Sequence, residues 1–177
     1  MELPVFPLPG LVFFPNTLLP LHIFEPRYRA LTAWCLEHDH LMAVGGLHEI
    51  MGAGRIVRHQ QLPDGRYHIV LMGEQRVRLQ SELDQRDGYR VFRVESAHDV
   101  GDGADQMTSI QALARTLALR SEQAAEFLER ALDSEDPAVV ADRLSAVLPP
   151  EERQAQLERL DVSARLDRLV EALASMM

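Results

Sequence analysis

The apolar positions divide the chain into two halves with different periods. Before residue 100, runs rich in β-branched and aromatic side chains stand close together: Gly54 to Arg58, Tyr67 to Leu71, Arg76 to Leu79 and Tyr89 to Val94. Such side chains suit a pleated, half-buried surface, so each run is expected to be a strand. Pro63-Asp64-Gly65 and Asp87-Gly88 supply the fixed or positive φ that tight turns need, and Gly73 lies between the second and third runs. Strands this near in sequence are expected to be antiparallel neighbours. An earlier strand is predicted over Leu18 to Phe24. Pro26 then sits in the first turn of a helix to about His38, with Tyr28, Leu31 and Trp34 or Cys35 as its buried stripe. Five or more short strands with one helix suggest a small closed or nearly closed barrel, since closure removes exposed edges.

Beyond the polar stretch Gly101-Asp102-Gly103-Ala104-Asp105 the period becomes helical. Residues 1–100 hold eight glycines and five alanines, whereas residues 101–177 hold two glycines and 14 alanines. Helix starts are recognisable: Asp136-Pro137 is an N-cap followed by proline, and Pro149-Pro150-Glu151-Glu152 puts proline and acids into a first turn. A last helix from Asp161 places Val162, Leu166, Leu169, Val170 and Leu173 on one face, with Arg165 and Arg168 expected among the solvated positions. That stripe needs a partner to cover it. The fold class read from these patterns is α+β, a β-rich barrel over residues 1–100 followed by a helical bundle over residues 101–177.

Composition narrows the chemistry. At 46% apolar and 25% charged residues the chain lies in the ordinary globular range, which argues against disorder. The first 26 residues are apolar but interrupted by Pro4, Pro7, Pro9, Pro15, Pro20 and Pro26, with Glu2, His22 and Glu25 among them and no cationic start. Neither a signal peptide nor a membrane span is expected. The single cysteine, Cys35, asks for no oxidising compartment, so a cytoplasmic location is expected. All 18 basic residues are arginine. Without lysine there is no Walker A loop, no Ser-Lys dyad and no Schiff base. On the residue types and spacings present, neither a cofactor nor a metal is expected.

Several clusters have chemistry-bearing residue types. Cys35, His38 and His40 could ligate zinc or form a nucleophile-base pair, but no second well-spaced pair follows, and a buried structural cysteine is the more common outcome. His22, Glu25 and Tyr28 surround the junction between the early strand and the helix, and their spacing suits hydrogen bonds that fix it. Arg55, Arg58, Arg66, Arg76, Arg78, Arg90 and Arg93 recur along the strands and could form a phosphate-binding stripe. Against that, residues 1–100 carry a balance of −2 and residues 101–177 one of −7, so a solvated surface of interleaved charges is the favoured reading. No Ser-His-Asp order, HExxH or GxSxG elbow occurs.

The opening run Glu2-Leu3-Pro4-Val5-Phe6-Pro7-Leu8, then Val12-Phe13-Phe14-Pro15-Asn16 and Leu19-Pro20-Leu21-His22-Ile23-Phe24-Glu25-Pro26-Arg27-Tyr28, closely resembles the start of the Lon protease amino-terminal domain family. The resemblance continues through Leu62-Pro63-Asp64-Gly65-Arg66-Tyr67 and Gly73-Glu74-Gln75-Arg76-Val77-Arg78. It is weaker through Arg153 to Glu158 and Arg165 to Leu169. It implies a PUA-like pseudo-barrel followed by a helical bundle that recognises unfolded or flexible protein segments, with a separate protease or chaperone as a further candidate partner. A stand-alone module without ATPase or protease parts is the expectation. The segment after His40 is shorter than the family pattern suggests. Phe13 and Phe14, flanking a proline-bounded loop, are with Leu18 the candidate peptide-binding residues, since exposed apolar surface often marks a binding site. The competing expectation is that the two aromatics are core. RNA binding by the barrel is the alternative function.

Overall fold

Prolines conceal the first strand. In the computed structural model, which describes residues 1–177, β1 (Glu2–Pro7) pairs antiparallel with the last strand and parallel with β3 (Leu41–Gly45), although Pro4 and Pro7 offer no N–H to either ladder. β2 (Leu18–Ile23) and α1 (Pro26–Glu37) lie close to where the apolar pattern places them. Of the alternatives for the inward stripe of α1, Cys35 is buried beside Tyr28, Leu31 and Thr32, and Trp34 is only partly covered.

The two runs expected on either side of Gly73 are one strand. β4 (Ile50–Gln61) and β5 (Tyr67–Glu82) form a long hairpin closed at Leu62 to Arg66, where Gly65 takes a φ of 86°. Gly73 is an interior strand position beside a register shift at Ala53/Gly54. One flank of β5 stays on β4 from Tyr67 to Arg78. Its other flank pairs first with β2, over Tyr67 to Met72, and then with β6 (Arg90–Ala97), over Arg76 to Glu82. The pairings β5-β4-β3-β1-β6 therefore return to β5 and close, leaving β2 as an added strand with a single neighbour. The sheet is mixed: β1 and β3 run parallel and every other pair antiparallel.

Two apolar clusters fill this unit, Met1–Ala97. One gathers α1 with Phe6, Phe13, Ile23, Val44, Ile69 and Leu71, and the other gathers Leu3, Val5, Met51, Val77 and Val94. Fully burying a side chain of this size stabilises the fold by roughly 1.5–3 kcal/mol, before the entropy of ordering it is subtracted.

The unit His98–Met177 is helical: α2 (Met107–Ala118), α3 (Glu122–Ala131), α4 (Pro137–Leu144), α5 (Pro150–Glu158) and α6 (Val162–Ser175). Caps set the starts. Ser121 accepts from Ala124 N at 3.1 Å, Asp136 from Ala138 N at 2.9 Å and Asp161 from Ala164 N at 3.0 Å, each bond satisfying an N–H that the helix leaves free. Leu166, Leu169 and Leu173 of α6 are covered by a cluster including Ile110, Ala114, Val140 and Leu144.

Arg165 overturns the expectation of a solvated position. It is fully buried, its Nη1 donates to Asp99 Oδ1 at 2.7 Å and to the Arg159 carbonyl at 3.2 Å, and Gln156 Nε2 donates to its backbone carbonyl. The reason is local. Val100 pairs with Asp161, which brings the Asp99 carboxylate to the first turn of α6 and gives the guanidinium a charged partner. Arg168 follows the pattern better, partly exposed and bidentate to Glu152 at 2.7 and 2.9 Å.

Candidate functional site

Phe13 and Phe14 are core residues, 2% and 5% accessible, which meets the expectation of burial and corrects their candidacy as an exposed peptide contact. Their segment lies directly on the strands, where glycine leaves room for it. A Cβ at Gly52 would stand 1.7 Å from the Phe13 carbonyl oxygen, one at Gly54 would stand 2.6 Å from the Phe13 ring, and one at Gly73 would stand 2.2 Å from the Phe14 carbonyl oxygen. Asn16 N donates to Gly73 O at 2.8 Å and Gly73 N to Thr17 O at 2.9 Å, which fastens the segment to β5. The chain emerges at Leu18, and Leu18 is 61% accessible.

Leu18 begins a face built from three strands. Residues directly opposite in a ladder share a face, so the register sets three rows across β2, β5 and β4: Leu18-Met72-Arg55, Pro20-Val70-Arg58 and His22-His68-Gln60. Val57 is the extra residue of the bulge between Ile56 and Arg58, and it is exposed. The His22 and His68 rings meet edge to face at 4.8 Å, and His22 also meets Phe24, which is 60% accessible, at 5.9 Å. Over the second and third rows is an open depression of about 510 Å3, bordered by Pro20, Leu21, His22, Arg58, His59, Gln60, His68, Ile69 and Val70. A second hollow, of about 300 Å3, runs from Phe6 to Pro9 and from Leu21 to Tyr28. The face combines apolar contact area with imidazole and guanidinium donors. It brings together no nucleophile and base.

The other sequence-predicted residues are dispersed. The Cys35 thiol donates to the Leu41 carbonyl at 3.4 Å, and burial, with the Asp39 charge adding, pushes it up to about 12. His38 stacks on Trp34 and bonds its carbonyl at 2.7 Å, while His40 faces the Ile56 carbonyl. No three His, Cys, Asp or Glu side chains converge. At the β2-α1 junction the Glu25 carbonyl accepts from Tyr28 N and Arg29 N, and its carboxylate takes Arg27 Nε. Tyr28 packs on Phe6 with ring centroids 4.2 Å apart. His22 is not part of that junction, because its strand register turns it toward His68 instead.

The arginine stripe is mostly paired. Arg55 binds Glu74, Arg66 binds Asp64, Arg78 binds Glu49 and Arg90 binds Glu82, and Arg76 is buried. Hydrogen bonds from Arg66, its backbone N–H first, hold the Asp64 carboxyl below the usual carboxylate range, and a side-chain bond from Arg90 does the same for Glu82. The rows of the outer face escaped sequence reasoning because their residues come from three separated segments. Alternation in Pro20/His22 and His68/Val70 was the available signal, but cross-strand register was not.

A closed mixed sheet, an added strand with an exposed face and a capped helical unit define an α+β protein with the fold of Lon amino-terminal domains. The N-terminal domain of a Mycobacterium avium complex Lon protease superposes with a TM-score of 0.79 at 16% identity, covering 100% of both chains. A Lon N-terminal domain protein from Xanthomonas campestris gives 0.74 at 24% identity, covering 97% of this chain and 98% of that one. The chain belongs to the family described as the ATP-dependent protease La (LON) substrate-binding domain, whose family model matches residues 2–175. Among curated relatives, the Lon protease of Paraburkholderia phytofirmans is 34% identical over 137 residues, 72% of this chain and 17% of that protein. That of Escherichia coli K12 is 27% identical over 195 residues, 99% of this chain and 25% of that protein. The chain thus spans a quarter or less of these relatives. No helix is long and apolar enough to cross a membrane.

Proposed function

We propose that this chain is a non-catalytic protein-binding module that captures unfolded or flexible protein segments on the outer face of β2, β5 and β4, without a cofactor. The observation that carries the reading is the exposed apolar surface at Leu18, Phe24 and Val57, in a chain of a family described as substrate-binding. Exposed apolar groups on a rigid sheet are what a flexible apolar segment can cover. In this reading residues 1–100 form a PUA-like pseudo-barrel, consistent with the closed ring of pairings, and residues 101–177 form a helical bundle. Bacterial Lon proteases as relatives accord with a cytoplasmic setting, and with delivery of captured segments to a separate protease or chaperone. Pairing of the barrel arginines with acids and a net charge of −9 favour protein over RNA as the ligand.

The test is fluorescence anisotropy of a labelled, permanently unfolded polypeptide titrated with the full chain. Saturable binding is expected, weakened about tenfold by Leu18→Glu, which puts a charge where an apolar contact was. Absence of binding to any unfolded polypeptide in a peptide array would overturn the reading.

A further inference from the structure

Most of the barrel arginines that reach the surface have an acid beside them, but Arg58 and Arg93 have none. The Arg58 guanidinium makes no ion pair or hydrogen bond. It stands instead on the rim of the 510 Å3 depression with His22, His59 and His68, and neither Asp nor Glu borders that depression. In a chain with 27 acids against 18 arginines, an acid-free hollow holding an unpaired guanidinium and the His22 and His68 imidazoles is a local reversal of sign. The walls between these groups are apolar. Arg58 is opposite Val70, Val70 is opposite Pro20, and His68 has His22 on one side and Gln60 on the other.

We propose that this hollow receives the carboxylate side chain, Asp or Glu, of a bound peptide whose neighbouring apolar side chains lie on Pro20, Val70 and Leu18. The proposal rests on the peptide-binding reading above and narrows its substrate class to acidic-apolar segments. The chemistry is complementary. A guanidinium presents a planar fork that a carboxylate can accept from two N–H groups at once, and the His22 and His68 imidazoles add ring N–H donors from the adjoining row. A peptide that covers Pro20 and Val70 also covers the guanidinium beside them, so the pair it forms is less screened than the exposed ion pairs elsewhere on the barrel. Arg58 has no internal carboxylate to give up first.

The experiment measures anisotropy of three labelled, C-terminally amidated peptides with the full chain: one of apolar residues around a central Glu, the same peptide with Gln there, and the same with Lys. The Glu peptide is expected to bind about tenfold tighter than the Gln peptide, and the Lys peptide weakest. Arg58→Gln should abolish the difference between the Glu and Gln peptides while leaving the thermal midpoint unchanged. Equal affinity of the Glu and Gln peptides overturns the acidic preference but leaves peptide binding standing, whereas failure of all three to bind overturns both. A Glu preference that survives Arg58→Gln places the carboxylate elsewhere and overturns the assignment. Affinity that appears only when the free C-terminal carboxylate is restored, or an RNA oligonucleotide that outcompetes the Glu peptide through Arg58, also overturns it.

Discussion

Glycine decides where the Phe13-Phe14 segment can lie. Gly52 has an ordinary strand register, yet a Cβ there would sit 1.7 Å from backbone oxygen, and backbone cannot swing aside as the end of a long side chain can. Gly52→Ala is therefore expected to lower unfolding stability by about 3 kcal/mol or more, read by urea denaturation, whereas Gly10→Ala, with nothing within 4 Å, answers only to its φ of 83°. A loss at Gly52 below that at Gly10 would contradict the close approach. Cys35 is the other residue whose surroundings set its chemistry. Its folded thiol holds its proton to about 12 while an unfolded thiol releases it near 8.5, so the folded state binds the extra proton over that interval. The stability from this difference is complete below about pH 8.5 and is lost as pH climbs toward 12. Native Cys35 should resist iodoacetamide at about pH 8 and react in urea, and Cys35→Ala should flatten the alkaline limb of the stability curve.

At the scale of elements, what a single segment encodes was legible and what two segments share was not. Asp136, Asp161 and the Pro149-Pro150 step mark helix starts because capping is local chemistry, and the α1 stripe follows from period alone. Arg165 was misplaced because period cannot see Asp99, which lies 66 residues away in sequence. Gly73 reads as a break between two runs because its reason, the Phe14 carbonyl above it, likewise comes from elsewhere in the chain. Arg165 also yields a test of what holds α6. Its Nε and Nη2 have no hydrogen-bond partner, so the Asp99 carboxylate is the charge that answers a fully buried guanidinium. Asp99→Ala should cost about 2 kcal/mol, discounted from a fully buried pair because Asp99 is 31% accessible. Arg165→Met, which removes the buried charge and keeps the volume, should cost less. Calorimetric midpoints in the opposite order would show that the pair, rather than the burial of an unanswered charge, governs the site.

For the whole molecule, charge was the property best read from the sequence, and its distribution the least. The net charge of −9 and the absence of lysine are countable, and they point away from nucleic acid and from lysine-dependent catalysis. Which arginines are neutralised depends on cross-strand neighbours: Arg55 faces Glu74 and Arg78 faces Glu49 only once β4 and β5 are in register. That pairing sets a quantity that can be measured. A polyanion releases counterions in proportion to the cations that contact it, and log K falls with log salt at about −0.7 per contact for a single strand. With Arg55, Arg78 and Arg90 already holding carboxylates and Arg58 and Arg93 left open, about two contacts are available. Any affinity for single-stranded RNA should therefore be weak and its salt slope no steeper than about −1.5. A slope of about −4 or steeper in filter-binding isotherms would mean that RNA displaces the acids and uses the stripe as a unit. In that case the paired arginines would be a masked basic surface, and the protein-binding reading would lose its electrostatic support.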